Sequence, residues 1–177
     1  MTANQLRDAA IIGAVVQKVG QKKLFCGETF LQKSAFFMKE LFGVPLESSF
    51  RLYYYGPFSF DLRSQLMAMR GDRFVSLVPH ERGAHFASGE QYANLASRFP
   101  KTLEKYAPAI EFAATELAGK GVKQLEPLAT ALYLRRENAD RDTEELASRL
   151  VEIKPHVEMP AARTALKTVD EWIERVS

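Results

Sequence analysis

Apolar residues recur along most of this chain at intervals of three and four positions, which is the spacing of one helix face. The first such series consists of Leu6, Ala9, Ile12, Val16 and Val19. These side chains share one side of an α-helix, so the series predicts an amphipathic helix that ends at Gly20. The chain as a whole is therefore expected to be mainly helical.

A second helix is predicted over residues 29–42. Its apolar positions keep the same rhythm, whereas Gln32 and Lys33 are assigned to its polar side. Gly43 and Pro45 provide the end signal.

The spacing changes at residues 50–62, where five of the twelve residues from Arg51 to Leu62 are aromatic. Aromatic residues favour strands, so residues 50–55 are predicted as a strand that Gly56 and Pro57 stop. The alternation of a strand would place Arg51, Tyr53 and Tyr55 on one face. Ser59 is a suitable N-cap for a following helix over 60–69.

The segments 74–78 and 84–87 read as two strands of a hairpin around a loop over 79–83. Residues 1–88 therefore show the order helix, helix, strand, helix, hairpin, which is the order of a winged-helix unit. Helical spacing returns over 90–99, 103–117 with a kink near Pro108, 122–137, 142–153 and 166–176. The sequence predicts a mainly α (α+β) chain: a single domain over 1–177, with a winged-helix-like part over 1–88 and a helical part over 89–177 packed on it.

Cys26 is the only cysteine among the 177 residues, so no internal disulfide can form. No stretch approaches 18 uninterrupted apolar residues, and the first 20 residues lack the pattern of a signal peptide. The cytoplasm is the expected compartment, and no membrane association is expected. A net charge of +2 is too small to indicate a nucleic-acid partner by itself.

Three segments resemble one known family. "FLQKSAFFMKELFGVPL" resembles the Leu-Gln-Lys helix of YwgA-type bacterial proteins, and "FRLYYYGPFSFDL" resembles their strand with a Tyr-Gly-Pro-Tyr-Ser turn. "LEPLATALYLRRE" followed by "LASRLVEIKPH" is similar to their C-terminal helices, which share a Lys-Pro boundary. The Tyr-Gly-Pro turn is also similar to that of the Panacea domain of SocA-like antitoxins. Phe58 stands where the family usually has a tyrosine.

The resemblance implies a mostly helical, winged-helix-like fold and no established enzyme activity. For the Panacea relatives it implies binding to a toxin. We therefore expect a non-catalytic interaction or regulatory protein with a protein partner. The candidate contact residues are Arg51, Tyr53, Tyr55, Phe58 and Phe60, because tyrosine and arginine are favoured at interface hot spots.

A winged-helix transcriptional regulator is the alternative. The recognition helix of such a unit enters the major groove while the wing contacts phosphates. The counterparts in this chain are Ser59, Arg63, Gln65, Arg70, Arg73 and Arg82.

Catalysis has one weaker candidate, in which Glu81 lies beside His80 and near His85 in the hairpin loop as an acid and base pair. Two histidines near a wing are more often exposed polar residues. Cys26 is interpreted as a buried, inert thiol. The sequence contains no clustered Cys and His at zinc spacing and no phosphate-binding glycine loop, so neither a metal nor a cofactor is expected.

Overall fold

Nine α-helices, one π-helical segment and four short strands make up the chain in a computed structural model, which describes residues 1–177. The helices are α1 (Ala3–Gln21), α2 (Glu28–Phe42), α3 (Phe60–Gly71), α4 (Tyr92–Ala96), α5 (Pro100–Lys105), α6 (Ala107–Phe112), α7 (Val122–Glu137), α8 (Thr143–Ile153) and α9 (Met159–Val176). The π-helical segment is Ala113–Leu117, and the strands are β1 (Arg51–Tyr53), β2 (Gly56–Phe58), β3 (Val75–Val78) and β4 (His85–Ser88). The chain is thus mainly α-helical, as predicted, and carries two small antiparallel hairpins, of which only the β3–β4 hairpin was predicted.

Side-chain caps begin several of these helices. Thr2 and Gln5 form a reciprocal capping box at α1, and the Ser59 hydroxyl accepts a hydrogen bond from the Leu62 amide at the start of α3. Asp142 caps α8 in the same way. Each cap satisfies an amide that has no partner within its helix, which explains why the chain enters the helix at that residue. The cap predicted at Ser59 is confirmed.

The single strand predicted over 50–55 is wrong. The structure instead contains a β1–β2 hairpin in which Tyr53 pairs with Gly56 and Arg51 pairs with Phe58. The chain reverses in a two-residue turn at Tyr54 and Tyr55, neither of which has a positive φ. The left-handed step falls on Gly56 (φ +85°) just after the turn, which is a position that glycine adopts without a steric penalty. Tyr55 therefore does not share a strand face with Arg51 and Tyr53.

The helix predicted over 103–117 is divided. It consists of the end of α5, α6 and the π-helical segment, with a break at Tyr106. Pro108 lies in the first turn of α6, where its missing amide hydrogen costs nothing, and the chain therefore restarts a helix there instead of continuing one.

A cluster of 45 buried apolar residues forms the core, with members on both sides of position 88. Within it, α7 packs against α2, α8, α9 and β2, and the β3–β4 hairpin packs against α1 and α3. Near its centre the Trp172 ring meets Phe37 and Phe112 edge to face, with centroids 5.5 and 5.1 Å away. No helix combines the length and apolar character needed to cross a bilayer.

Candidate partner-binding surface and the ionic network beneath it

The first hairpin and the start of α3 carry a group of exposed aromatic side chains. We call it the aromatic surface, and it consists of Tyr53, Tyr54, Tyr55, Phe58 and Phe60. The Tyr53 ring lies at its centre, with centroids 4.7 Å from Tyr54, 5.7 Å from Phe58 and 5.6 Å from Phe60. Apart from half-buried Phe58, the exposed fractions range from 44% for Tyr53 to 74% for Tyr54. Contiguous exposed apolar groups of this kind are typical of interaction sites.

Two arginines flank these rings. The Arg63 guanidinium lies 4.7 Å from the centre of the Phe58 ring and forms a 2.6 Å ion pair with Glu28. The hydrogen bond to Glu28 raises the Arg63 pKa, and an arginine is charged at every physiological pH, so a positive charge lies over the Phe58 ring. Arg51 is exposed and makes no side-chain hydrogen bond or ion pair, so its charge is open to a partner.

The structure therefore brings three of the five predicted contact residues into direct ring contact, namely Tyr53, Phe58 and Phe60. Arg51 and Tyr55 are exposed nearby but join no ring pair. Tyr54, which strand alternation placed on the opposite face, is the most exposed of the rings because it occupies the turn.

Polar side chains beneath the hairpin bind its main chain. Lys33 of α2 is only 1% exposed, and its ammonium group donates to the Pro57 carbonyl at 2.8 Å. Lys154, just after α8, is also buried and donates to the Tyr53 carbonyl at 2.7 Å and to the Tyr54 carbonyl. The backbone of the turn is thus held by two ammonium groups from opposite ends of the sequence.

Glu126 of α7 supplies the negative charge between these lysines and is itself 4% exposed. Its Oε1 lies 3.2 Å from the Lys154 ammonium, and its Oε2 lies 3.1 Å from Nε2 of the more exposed His156. We call Lys33, Glu126, Lys154 and His156 the ionic network. Oε1 accepts no hydrogen bond, so its contact with Lys154 is an ion pair only.

Burial lowers the pKa of Lys33. Desolvation lowers the pKa of this ammonium group to about 8, the negative charge of Glu126 opposes that change, and the positive charge of Lys154 adds to it. The pKa of Lys33 therefore lies only slightly above neutral pH. The hydrogen bond to the Pro57 carbonyl and the nearby negative charge of Glu126 both favour the charged form.

Two further contacts complete the support of the turn. The Gln32 side chain donates to the Ser59 carbonyl and accepts from the Ser59 amide, both at 2.9 Å. Thr130 is fully buried, and its hydroxyl would lie 3.1 Å from a Cβ placed on Gly56. Any larger residue at position 56 would therefore combine an unfavourable positive φ with a tight contact to α7, and glycine avoids both.

The sequence did not predict the polar residues beneath the hairpin, because Gln32 and Lys33 were assigned to the polar side of α2. Both are buried, because their polar ends find main-chain partners in the hairpin. The available signal was the set of segments that carry the family resemblance. The Leu-Gln-Lys helix, the Tyr-Gly-Pro turn, the "LEPLAT" helix and the Lys-Pro boundary all meet at the ionic network.

Four of the six residues predicted to contact DNA make contacts within the chain instead. Ser59 is fully buried as the cap of α3, so its hydroxyl is not accessible to DNA in this structure. Arg63 pairs with Glu28, Arg73 pairs with Glu90, and the Gln65 amide donates to the Gln5 carbonyl at 2.9 Å. Arg70 and Arg82 are exposed and make no side-chain ion pair.

His80 of the hairpin loop and His85, the first residue of β4, lie against Phe25. The His85 ring stacks on it at 5.6 Å and 7°, and the His80 ring lies 5.0 Å from it. Nδ1 of His80 accepts a hydrogen bond from the Arg82 amide, and no hydrogen bond joins Glu81 to either histidine. Cys26 is 1% exposed, and burial raises the pKa of its thiol to about 12. No group of three potential metal ligands occurs.

A scan of the chain against protein-family models gives no match, and a search of curated proteins gives none either.

Proposed function

We propose that this chain is a non-catalytic interaction protein that binds a protein partner through the aromatic surface. The observation that carries the proposal is the ring cluster around Tyr53, which is exposed, internally packed and unpartnered within the chain. Aromatic side chains contribute large contact areas and lose few rotamers when they are buried by a partner. Arg51 adds an unpaired charge at the edge of the cluster.

The partner class follows from the family resemblance. The Tyr-Gly-Pro turn beside this surface resembles that of YwgA-type proteins and, more distantly, that of the Panacea domain of SocA-like antitoxins. We therefore propose an antitoxin-like role, in which the partner is a small toxin and the compartment is the cytoplasm. Co-expression with that toxin should restore growth of the host cell.

The test begins with the native partner. The chain is purified from its own host under mild conditions, a co-purifying protein is identified, and that protein is then produced separately for binding measurements. Tyr53→Ala and Tyr54→Ala should each weaken the affinity about 30-fold, because hot-spot residues contribute at least about 2 kcal/mol. Val78→Ala is the matched control, since Val78 is similarly exposed (38%) but lies on β3.

Two results would argue against this function. If the chain is isolated from its host without any partner, an obligate interaction role is excluded. If the partner binds both tyrosine variants as tightly as the wild type, the interaction uses another surface.

The alternative function is DNA binding by a winged-helix-like unit over residues 1–88. We propose that arrangement because α1, α2 and α3 precede the β3–β4 hairpin, which packs on α1 and α3. The exposed, unpaired Arg70 and Arg82 favour it. Binding to random and genomic duplexes should then weaken steeply with added salt, and Arg70→Ala and Arg82→Ala should lower that salt dependence. No affinity at low salt would exclude this alternative.

A further inference from the structure

The β1–β2 hairpin, which carries the aromatic surface, has few interactions of its own that would keep it ordered. Its ladder pairs only three residues on each side, and a two-stranded hairpin of this size is marginal in water. The three tyrosines of the strand end and turn are exposed, so their burial contributes little to holding the turn in place. Some other interaction must therefore fix the main chain at these residues.

The donors of the ionic network are directed at that main chain. Lys154 binds the carbonyls of Tyr53 and Tyr54, and Lys33 binds the carbonyl of Pro57. Neither ammonium group donates a hydrogen bond to a helix side chain, and Lys154 contacts Glu126 as an ion pair only. A charge-assisted hydrogen bond in a buried setting is among the stronger polar contacts in proteins.

The negative charge of Glu126 offsets the repulsion between the buried ammonium groups of Lys33 and Lys154. Two ammonium groups buried under one turn would repel each other, and Glu126 is the one carboxylate that contacts the network. A buried charge without a counter-charge is strongly destabilising, so Glu126 allows both lysines to stay charged beneath the turn.

We propose that Lys33, Glu126 and Lys154 are positioning residues, which hold the β1–β2 hairpin in the conformation that presents the aromatic surface. They do not touch the partner; they act through the carbonyls of residues 53, 54 and 57. Only the binding readout of this inference rests on the proposed function, because the order of the hairpin can be measured on the chain alone.

The test compares hydrogen exchange of the amides in residues 51–58 among wild type, Lys154→Met and Lys39→Met. Lys154→Met removes two carbonyl contacts and the ion pair with Glu126, and it leaves Glu126 its contact with His156. Lys39 is the matched control, since it also binds two main-chain carbonyls, those of Leu46 and Ser48 at 2.9 and 2.7 Å. Lys154→Met should speed exchange in the hairpin about tenfold or more, while α2 and α7 stay protected. Lys39→Met should leave residues 51–58 at the wild-type rate.

Unchanged exchange over 51–58 in Lys154→Met would overturn the proposal. So would an equal acceleration in every helix, because the network would then support the whole fold and not the hairpin. Should Lys154→Met fail to fold, Lys33→Met repeats the test through the Pro57 carbonyl; failure of both variants to fold also overturns the proposal.

A second measurement separates this inference from the proposed function. With the purified partner, Lys154→Met should weaken binding about tenfold, because a mobile surface loses freedom when it is bound. A hairpin that loosens in Lys154→Met while affinity stays unchanged would support the positioning role and refute the aromatic surface as the docking site.

Discussion

Replacing Gly56 with alanine tests the close approach of the hairpin to α7. Gly56 has a φ of +85°, and an added Cβ would lie 3.1 Å from Oγ1 of Thr130 and 3.6 Å from Cε of Lys33. The substitution therefore imposes two costs, one from the left-handed backbone and one from the contact. Thr130 is fully buried, so it has little room to move aside.

The substitution Gly119→Ala measures the backbone cost without the contact cost. Gly119 has the same φ of +85°, but nothing lies within 4 Å of the position that its Cβ would take. The left-handed conformation costs an L-residue about 1–2 kcal/mol, and the stiffer unfolded chain returns roughly half of that. Gly119→Ala should therefore destabilise the fold by about 1 kcal/mol. Gly56→Ala adds overpacking and should cost about 3 kcal/mol in total.

The assay is equilibrium urea unfolding followed by circular dichroism. Removing the Thr130 hydroxyl provides an internal check, because Gly56→Ala should cost less in a Thr130→Ala background than in the wild type. Equal losses of stability for Gly56→Ala and Gly119→Ala would refute the reasoning, since the contact with Thr130 would then contribute nothing.

Two further predictions concern buried titratable groups. Because the Lys33 pKa is lowered to about 8, the folded chain releases this proton at a lower pH than the unfolded chain does, and its stability relative to Lys33→Met should rise with pH. The difference in unfolding free energy between the two proteins should grow by about 1 kcal/mol from about pH 7 to about pH 9, and a difference that stays flat would contradict the assignment. Cys26, with its thiol pKa raised to about 12 by burial, should react with a thiol reagent at about pH 8 only after unfolding. Rapid labelling of the native chain would show that this part of the core opens readily.

Most of the helices could be predicted because their signal is local. The spacing of apolar residues located α1, α2, α3, α7, α8 and α9, and the Ser59 cap was recognisable from its position before an apolar series. The first hairpin could not be predicted in the same way. A run of tyrosines favours a strand, and the turn within it is marked only by Gly56, one residue after the reversal.

Of the candidate site, the aromatic surface was predictable from the sequence and the ionic network was not. Exposed aromatic residues next to a Gly-Pro stretch indicated a contact surface, and Tyr53, Phe58 and Phe60 do meet there. The ionic network depends on Lys33, Glu126 and Lys154, which lie far apart in the sequence and meet only when α2, α7 and the end of α8 pack together. A polar residue in a helix is normally assigned to solvent, so single-residue reasoning placed Lys33 outside the core.

The lysines that support the hairpin recognise its carbonyl groups, and every amino acid has a carbonyl group. The side chains at positions 53, 54 and 58 can therefore be exchanged without removing a supporting contact, whereas Gly56 cannot. The Phe58 side chain takes no part in the bond from Lys33 to the Pro57 carbonyl. The rings can therefore change the chemistry of this face of the molecule while the contacts that hold the hairpin stay the same.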